Sequence, residues 1–185
     1  MELLPFLRTQ ARANRLANHR LHAAMAGLSR DEFHAPRTGF FPSLAKTLNH
    51  ILEVDIYYLA ALRAEADMFA QSEAFEPLDT VGELSAAQAR SDQRFIDIME
   101  ALAPEQLDEV IDLDRGDHVQ RERRGHVIAH LLNHQVHHRG QAHAMLAGTV
   151  VPPPQLDEFL MPSEAHLRVA DMVASGWTEG DLFRR

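Results

Sequence analysis

His134 and His138 stand four residues apart in the stretch NHQVHHRGQ, residues 133 to 141, with His137 between them. An α-helix advances about 100° per residue, so residues four apart lie within about 40° of each other on one face. Their imidazoles can then aim at a single divalent ion, as paired histidines do in zinc-binding helices. The spacing approaches the zinc-peptidase motif H-E-x-x-H, but Gln135 occupies the glutamate's place. An amide cannot take a proton from a metal-bound water, and a residue next to His134 points about 100° away from it. The peptidase reading fails there, while the metal reading survives.

Two ligands make a weak site, so a third must come from elsewhere in the chain. The four-residue step also runs back from His134 to His130 and His126, which leaves the choice of pair open on spacing alone. His137 lies about 60° off the direction of His134 and is less well placed to share its ion. His50, in TLNHILEVD, is the best third donor because it sits on or beside the apolar face of Leu48, Ile51 and Leu52. A histidine there faces a neighbouring helix, and helix bundles build metal sites from side chains on facing helices. The competing reading is a partly buried, hydrogen-bonded His50 beside a solvent-exposed column of histidines.

Four long amphipathic segments must carry these residues. Residues 3 to 28 space Leu3, Phe6, Leu16, Leu21, Met25 and Leu28 helically, with Pro5 tolerated in the first turn. Ser43 is a natural N-cap for a second helix reaching about Met68. TVGE, residues 80 to 83, fits a capping box that opens a third helix to about Leu102. Residues 107 to 122 alternate around an RGD turn and read as a short hairpin. A fourth helix follows from about Arg124 to Ala147, with Gly148 as its C′ residue. After VPPP, Ser163 is placed to cap a last short helix through Val173. The pattern predicts an all-α protein: an antiparallel four-helix bundle with a hairpin-like insert and a C-terminal extension, as one domain over residues 1–185.

Composition narrows the partners. At 185 residues the chain can bury roughly 70% of its unfolded surface without staples. Twelve histidines and no cysteine exclude disulfides, thiolate ligands and a cysteine nucleophile. The net charge of −9 opposes binding to a phosphate backbone, so no nucleic-acid partner is expected. No apolar run approaches the roughly 20 residues that span a bilayer, and no secretory signal is visible, so a cytoplasmic protein is expected. Histidine ligation without cysteine suits Zn, Ni, Fe or Mn, with Zn favoured on borderline softness. Because ligand histidines must be neutral, metal affinity is expected to fall below about pH 6.5.

SLAKTLNHILEVD, followed some eighty residues later by HVIAHLLNHQVHHRGQAHAML, resembles the DinB (YfiT-like) family of four-helix metalloproteins. LANHRLHAAMAGL resembles the family's W-A-N-x-R-L segment, and NHxxHHRGQ its most specific signature. The resemblance implies that the metal ligands are His50, His134 and His138. Leu16 departs from the family's tryptophan and is expected to reshape the pocket near the site. Around the ligands, Arg139 is read as an ion-pair partner of Glu53 or Asp55, or else as a solvated surface residue. Gly140 points to close approach of another backbone, and Gln141 or Asp55 could orient a ligand imidazole. Asn18 reads as a structural bond across helices.

Three histidines leave positions on an ion open for water or substrate, the mark of a catalytic site. The resemblance implies a metal-dependent, thiol-using transferase or isomerase acting on a small molecule, with a low-molecular-weight thiol as partner. The alternatives are a non-enzymatic metal-binding stress-response protein and, less favoured, a metal-dependent hydrolase. Assembly as a symmetric homodimer is also implied by the resemblance. The apolar Leu156, Phe159, Leu160 and Met161 are a second candidate contact, unless they fold back on their own bundle.

Overall fold

Small polar side chains start four of the eight described α-helices by taking up free backbone N–H groups. The computed structural model describes residues 2–184 and is mostly helical. Helix α1, Leu3–Met25, is followed by the single turn and a half of α2, Arg30–His34, which Ser29 caps. Ser43 accepts from the Lys46 N–H to open α3, Leu44–Leu62. The short α4, Met68–Glu73, precedes α5, Val81–Ala101, which begins with the expected Thr80–Glu83 capping box. A 3₁₀ turn at Pro104–Asp108 leads to β1, Val110–Asp114, and β2, Val119–Arg123. These pair antiparallel with Val110 opposite Arg123 and Asp114 opposite Val119. Helix α6, Arg124–Leu146, leaves the hairpin directly, and α7, Val169–Ser175, and α8, Glu179–Leu182, follow.

Some boundaries differ from expectation. Helix α1 stops at Met25, and α3 at Leu62 rather than near Met68. Ala64 takes a left-handed φ of 55°, a break unmarked by glycine or proline. Helix α6 ends as expected, with Ala147 as C-cap and Gly148 as C′, although Gly148 is not among the glycines at positive φ. The predicted helix over 163 to 173 is divided: a 3₁₀ turn, Pro162–Leu167, gives way to α7 at Arg168. Arg168 is fully buried, donates to the carbonyls of Glu158 and Met161, and pairs with Glu179, so its side chain ties the extension together.

Helix α1 packs against α5 and α6, and α3 against α4, α5 and α6. Each of the four long helices carries apolar residues of one cluster toward one end and of a second cluster toward the other. On α3 these are Tyr57 to Leu62 and Leu44 to Leu52; on α6 they are Val127 to Leu131 and Ala142 to Leu146. Between the clusters, all four helices place buried polar groups: Asn14 and Asn18, Asp55, Gln88 and Asp92, then Gln135 and Arg139. A polar layer therefore crosses the middle of the four helices. A third cluster, with Leu16 of α1 against Phe159, Met172 and Leu182, holds the C-terminal segment on the helices. Phe159 thus folds back on its own chain, while Leu160 and Met161 remain exposed.

Candidate metal centre

The donors His50 on α3 and His134 and His138 on α6 offer ring nitrogens that all lie within 4.8 Å of one another, a set that could hold a metal ion. Nε2 of His134 is 3.2 Å from Nε2 of His50. Two nitrogens bound tetrahedrally at about 2.0–2.1 Å from zinc lie about 3.3 Å apart, so this pair fits one ion.

The second ring nitrogens are held differently. Nδ1 of His138 meets the amide oxygen of Gln141 at 2.9 Å. An amide oxygen only accepts, so Nδ1 carries the proton and Nε2 keeps its lone pair for a metal. Gln141 also donates to Nε2 of His137 at 3.0 Å, which fixes its own orientation. Nδ1 of His50 lies 3.9 Å from a Glu53 oxygen. Nδ1 of His134 is buried without a partner among the described residues, so its ring is oriented by packing against the other two rings and by the Nε2 contact with His50.

The surroundings shift all three imidazoles toward the neutral form. Burial, reinforced by His138 and His50, pushes His134 down to about 3. Burial also lowers His50, with His138 adding to it, and lowers His138 against the opposing bond from Gln141. Competition between protons and a metal is thereby moved below the pH of about 6.5 that free histidine predicts.

Behind the ligands, the polar layer anchors α6. Gln135 is 1% exposed and donates to both Asp55 oxygens at 2.6 Å, while its own oxygen accepts from Asn18. It faces the interior and has no role at the ion. Asp55 also accepts from Gln88 and Ser91, so it does not reach a ligand imidazole as expected. Burial and the neighbouring Asp92 raise Asp55 to about 7, and burial raises Asp92 to about 6; amide donors pull both down. Arg139 is neither a surface residue nor a partner in a direct ion pair. It is 8% exposed, and Nη1 donates to Asn14 Oδ1 at 2.6 Å and Asn18 Oδ1 at 2.8 Å. Its charge balances Asp92 and Asp55 at longer range. Asn18 is the cross-helix bond expected of it.

Other expectations change. Gly140 is exposed with nothing near a would-be Cβ, so no backbone approaches it. Leu16 is fully buried in the C-terminal cluster and does not line the cavity at the histidines. His126 and His137 are not in the set that could share an ion, and His130 instead packs edge-on to Tyr58 at 5.2 Å.

Phe41 went unnoticed in the sequence. Its ring lies 4.5 Å from that of His50 and 5.6 Å from that of His138, with Phe40 edge-on to it. It covers one side of the triad from a segment whose glycine and prolines read only as a connection. On another side, a cavity of about 290 Å³ opens, walled by His50, His134, Tyr57, Tyr58, Phe69 and Arg115 among others. Residues 6–169 match the DinB family profile. No curated protein matches the chain.

Proposed function

The chain belongs to the DinB family, and from that premise we propose that His50, His134 and His138 together bind one divalent ion, zinc being favoured, for chemistry on a small substrate. The observation that carries this reading is the 3.2 Å approach of two Nε2 atoms from different helices, beside a third imidazole. When bound, the ion supplies Lewis acidity and holds a small thiol as its thiolate. The chain's own residues orient and enclose. Gln141 fixes the His138 ring, Phe41 keeps water from one side, and the cavity beside His50 and His134 admits the substrate.

That cavity favours chemistry on a small molecule over a purely metal-storing protein, and kinship with the family favours a thiol-using transferase. A hydrolase of the zinc-peptidase type is disfavoured because Gln135 is turned inward and fully engaged. Elemental analysis of the purified protein, followed by a thiol-transfer screen with and without metal, tests the reading. One bound ion per chain and metal-dependent transfer are expected; a metal-free protein that does not take up zinc contradicts it.

The four long helices are read as an antiparallel bundle within one domain over residues 1–185, a reading supported by the polar layer that all four share. No described helix is long and apolar enough to cross a membrane, and we place the protein in the cytoplasm. We also propose a homodimer; exposed Leu160, Met161, Val169 and Val173 offer an apolar contact. Light scattering should give twice 20.8 kDa, and the mass of a single chain contradicts it.

A further inference from the structure

We infer that Arg115 is the specificity-determining residue of the cavity beside the triad, and that it reads a carboxylate on the substrate. This rests on the triad reading for what lies at the cavity's other end. Arg115 sits in the turn between β1 and β2, and that turn is fixed from below. Gly116 has a φ of +84°, and a Cβ there would lie 2.8 Å from the Phe69 ring. Only glycine lets the turn seat on Phe69, and Phe69 is itself a wall of the cavity. The guanidinium is thereby laid over the rings of Tyr57 and Tyr58, 5.1 and 5.7 Å from their centroids.

Its hydrogen-bond partners are all neutral. Nε donates to Gln120 Oε1 at 3.1 Å and Nη2 to the Tyr58 hydroxyl at 3.3 Å. No carboxylate lies within ion-pair distance of it among the described residues, Glu122 acting on it only at longer range, whereas the half-buried Arg20, Arg37 and Arg124 each have one. A half-buried, stacked guanidinium whose charge has no direct counter-ion presents its free donors to a ligand, and a planar carboxylate matches them. Among the described residues Glu53 is the only acid in the cavity wall, and it is turned to His50, with an oxygen 3.9 Å from Nδ1. The cavity thus has an imidazole end suited to a metal-directed group and a cationic end suited to an anion. A small molecule carrying both a thiol and a carboxylate fits it.

The test uses the whole chain in two states. Metal-stripped protein is titrated with glutarate and with its neutral diamide, following the Nε–H resonance of Arg115. Zinc-loaded protein is titrated with short ω-mercapto acids and with the matching mercapto alcohols. Glutarate should move the Arg115 resonance and the diamide should not. The best acid should bind zinc-loaded protein about tenfold or more tighter than its alcohol, as a charge-assisted bond gives. Arg115→Gln should erase that ratio, weakening the acid far more than the alcohol, and Arg115→Lys should keep part of it. An unmoved resonance, or an undiminished ratio in Arg115→Gln, overturns the inference. If glutarate moves Arg115 but no thiol binds the zinc-loaded protein, the carboxylate subsite stands and the thiol reading falls.

Discussion

Replacing Arg139 by Met tests whether the polar layer organises the helix that carries two of the three histidines. The side chain is 8% exposed, and its Nη1 is the donor to Asn14 Oδ1 and Asn18 Oδ1. Methionine fills a similar space but leaves both oxygens without that donor and removes the cation nearest the buried Asp92 and Asp55. Leaving a buried acceptor unsatisfied costs about 1–3 kcal/mol, so two of them together cost about 3–5 kcal/mol. In a chain of this size that is a fall in Tm of between about 6 and 20 °C. Urea unfolding followed by circular dichroism measures it. Combining Arg139→Met with Asp92→Asn should cost less than the sum of the two single changes, because the uncompensated charge goes with its partner. A loss below about 1 kcal/mol for Arg139→Met would refute the reasoning, since that is what a solvated surface arginine gives.

Other outcomes follow from individual residues. Gly140→Ala should stabilise the protein by about 1 kcal/mol in the same unfolding assay, because the position is an open, exposed helix interior. Gln141→Ala should weaken zinc binding by about 10–100-fold in a chelator competition, since His138 loses the acceptor that fixes its ring. Burial lowers His22 to about 4. Below pH 6.5 the unfolded chain takes up a proton that the folded chain refuses, so folding is penalised increasingly as pH falls. Compared with His22→Leu, metal-free wild type should lose up to roughly 3 kcal/mol between pH 6.5 and 4. Parallel pH profiles for the two proteins contradict this.

Local signals made the three histidines candidates, but the four-residue step runs on to His130 and His126, and only the family resemblance singled out His50, His134 and His138. A four-residue step places His134 beside His138, and the Leu48–Ile51–Leu52 stripe shows which way His50 can turn. The Ser43 cap and the Thr80–Glu83 box are local as well, and both helices start where those residues predict. The polar layer had a readable signal that periodicity offered. Ile128, Leu131, Gln135, Arg139, Ala142 and Leu146 continue one stripe, so Gln135 and Arg139 lie inward despite their polarity. Asp55 was assigned to a ligand because its partners, Gln88 and Gln135, come from distant helices. Phe41 and Arg115 carry no periodic signal at all. Their positions depend on how a connection and a hairpin turn settle on finished helices, which spacing does not encode. The break at Ala64 was hidden for a related reason: alanine favours helix, and packing overrides that preference.

Zinc titration of the wild type and of single histidine-to-alanine variants tests the central claim most directly. The wild type should bind one zinc per chain. His50→Ala, His134→Ala and His138→Ala should each lower its affinity by more than about 100-fold, as the loss of one of three protein ligands demands. His126→Ala, outside the converging set, should stay within a few-fold of wild type. Zinc affinity that survives removal of His134, or that falls as far on removal of His126, would contradict the account.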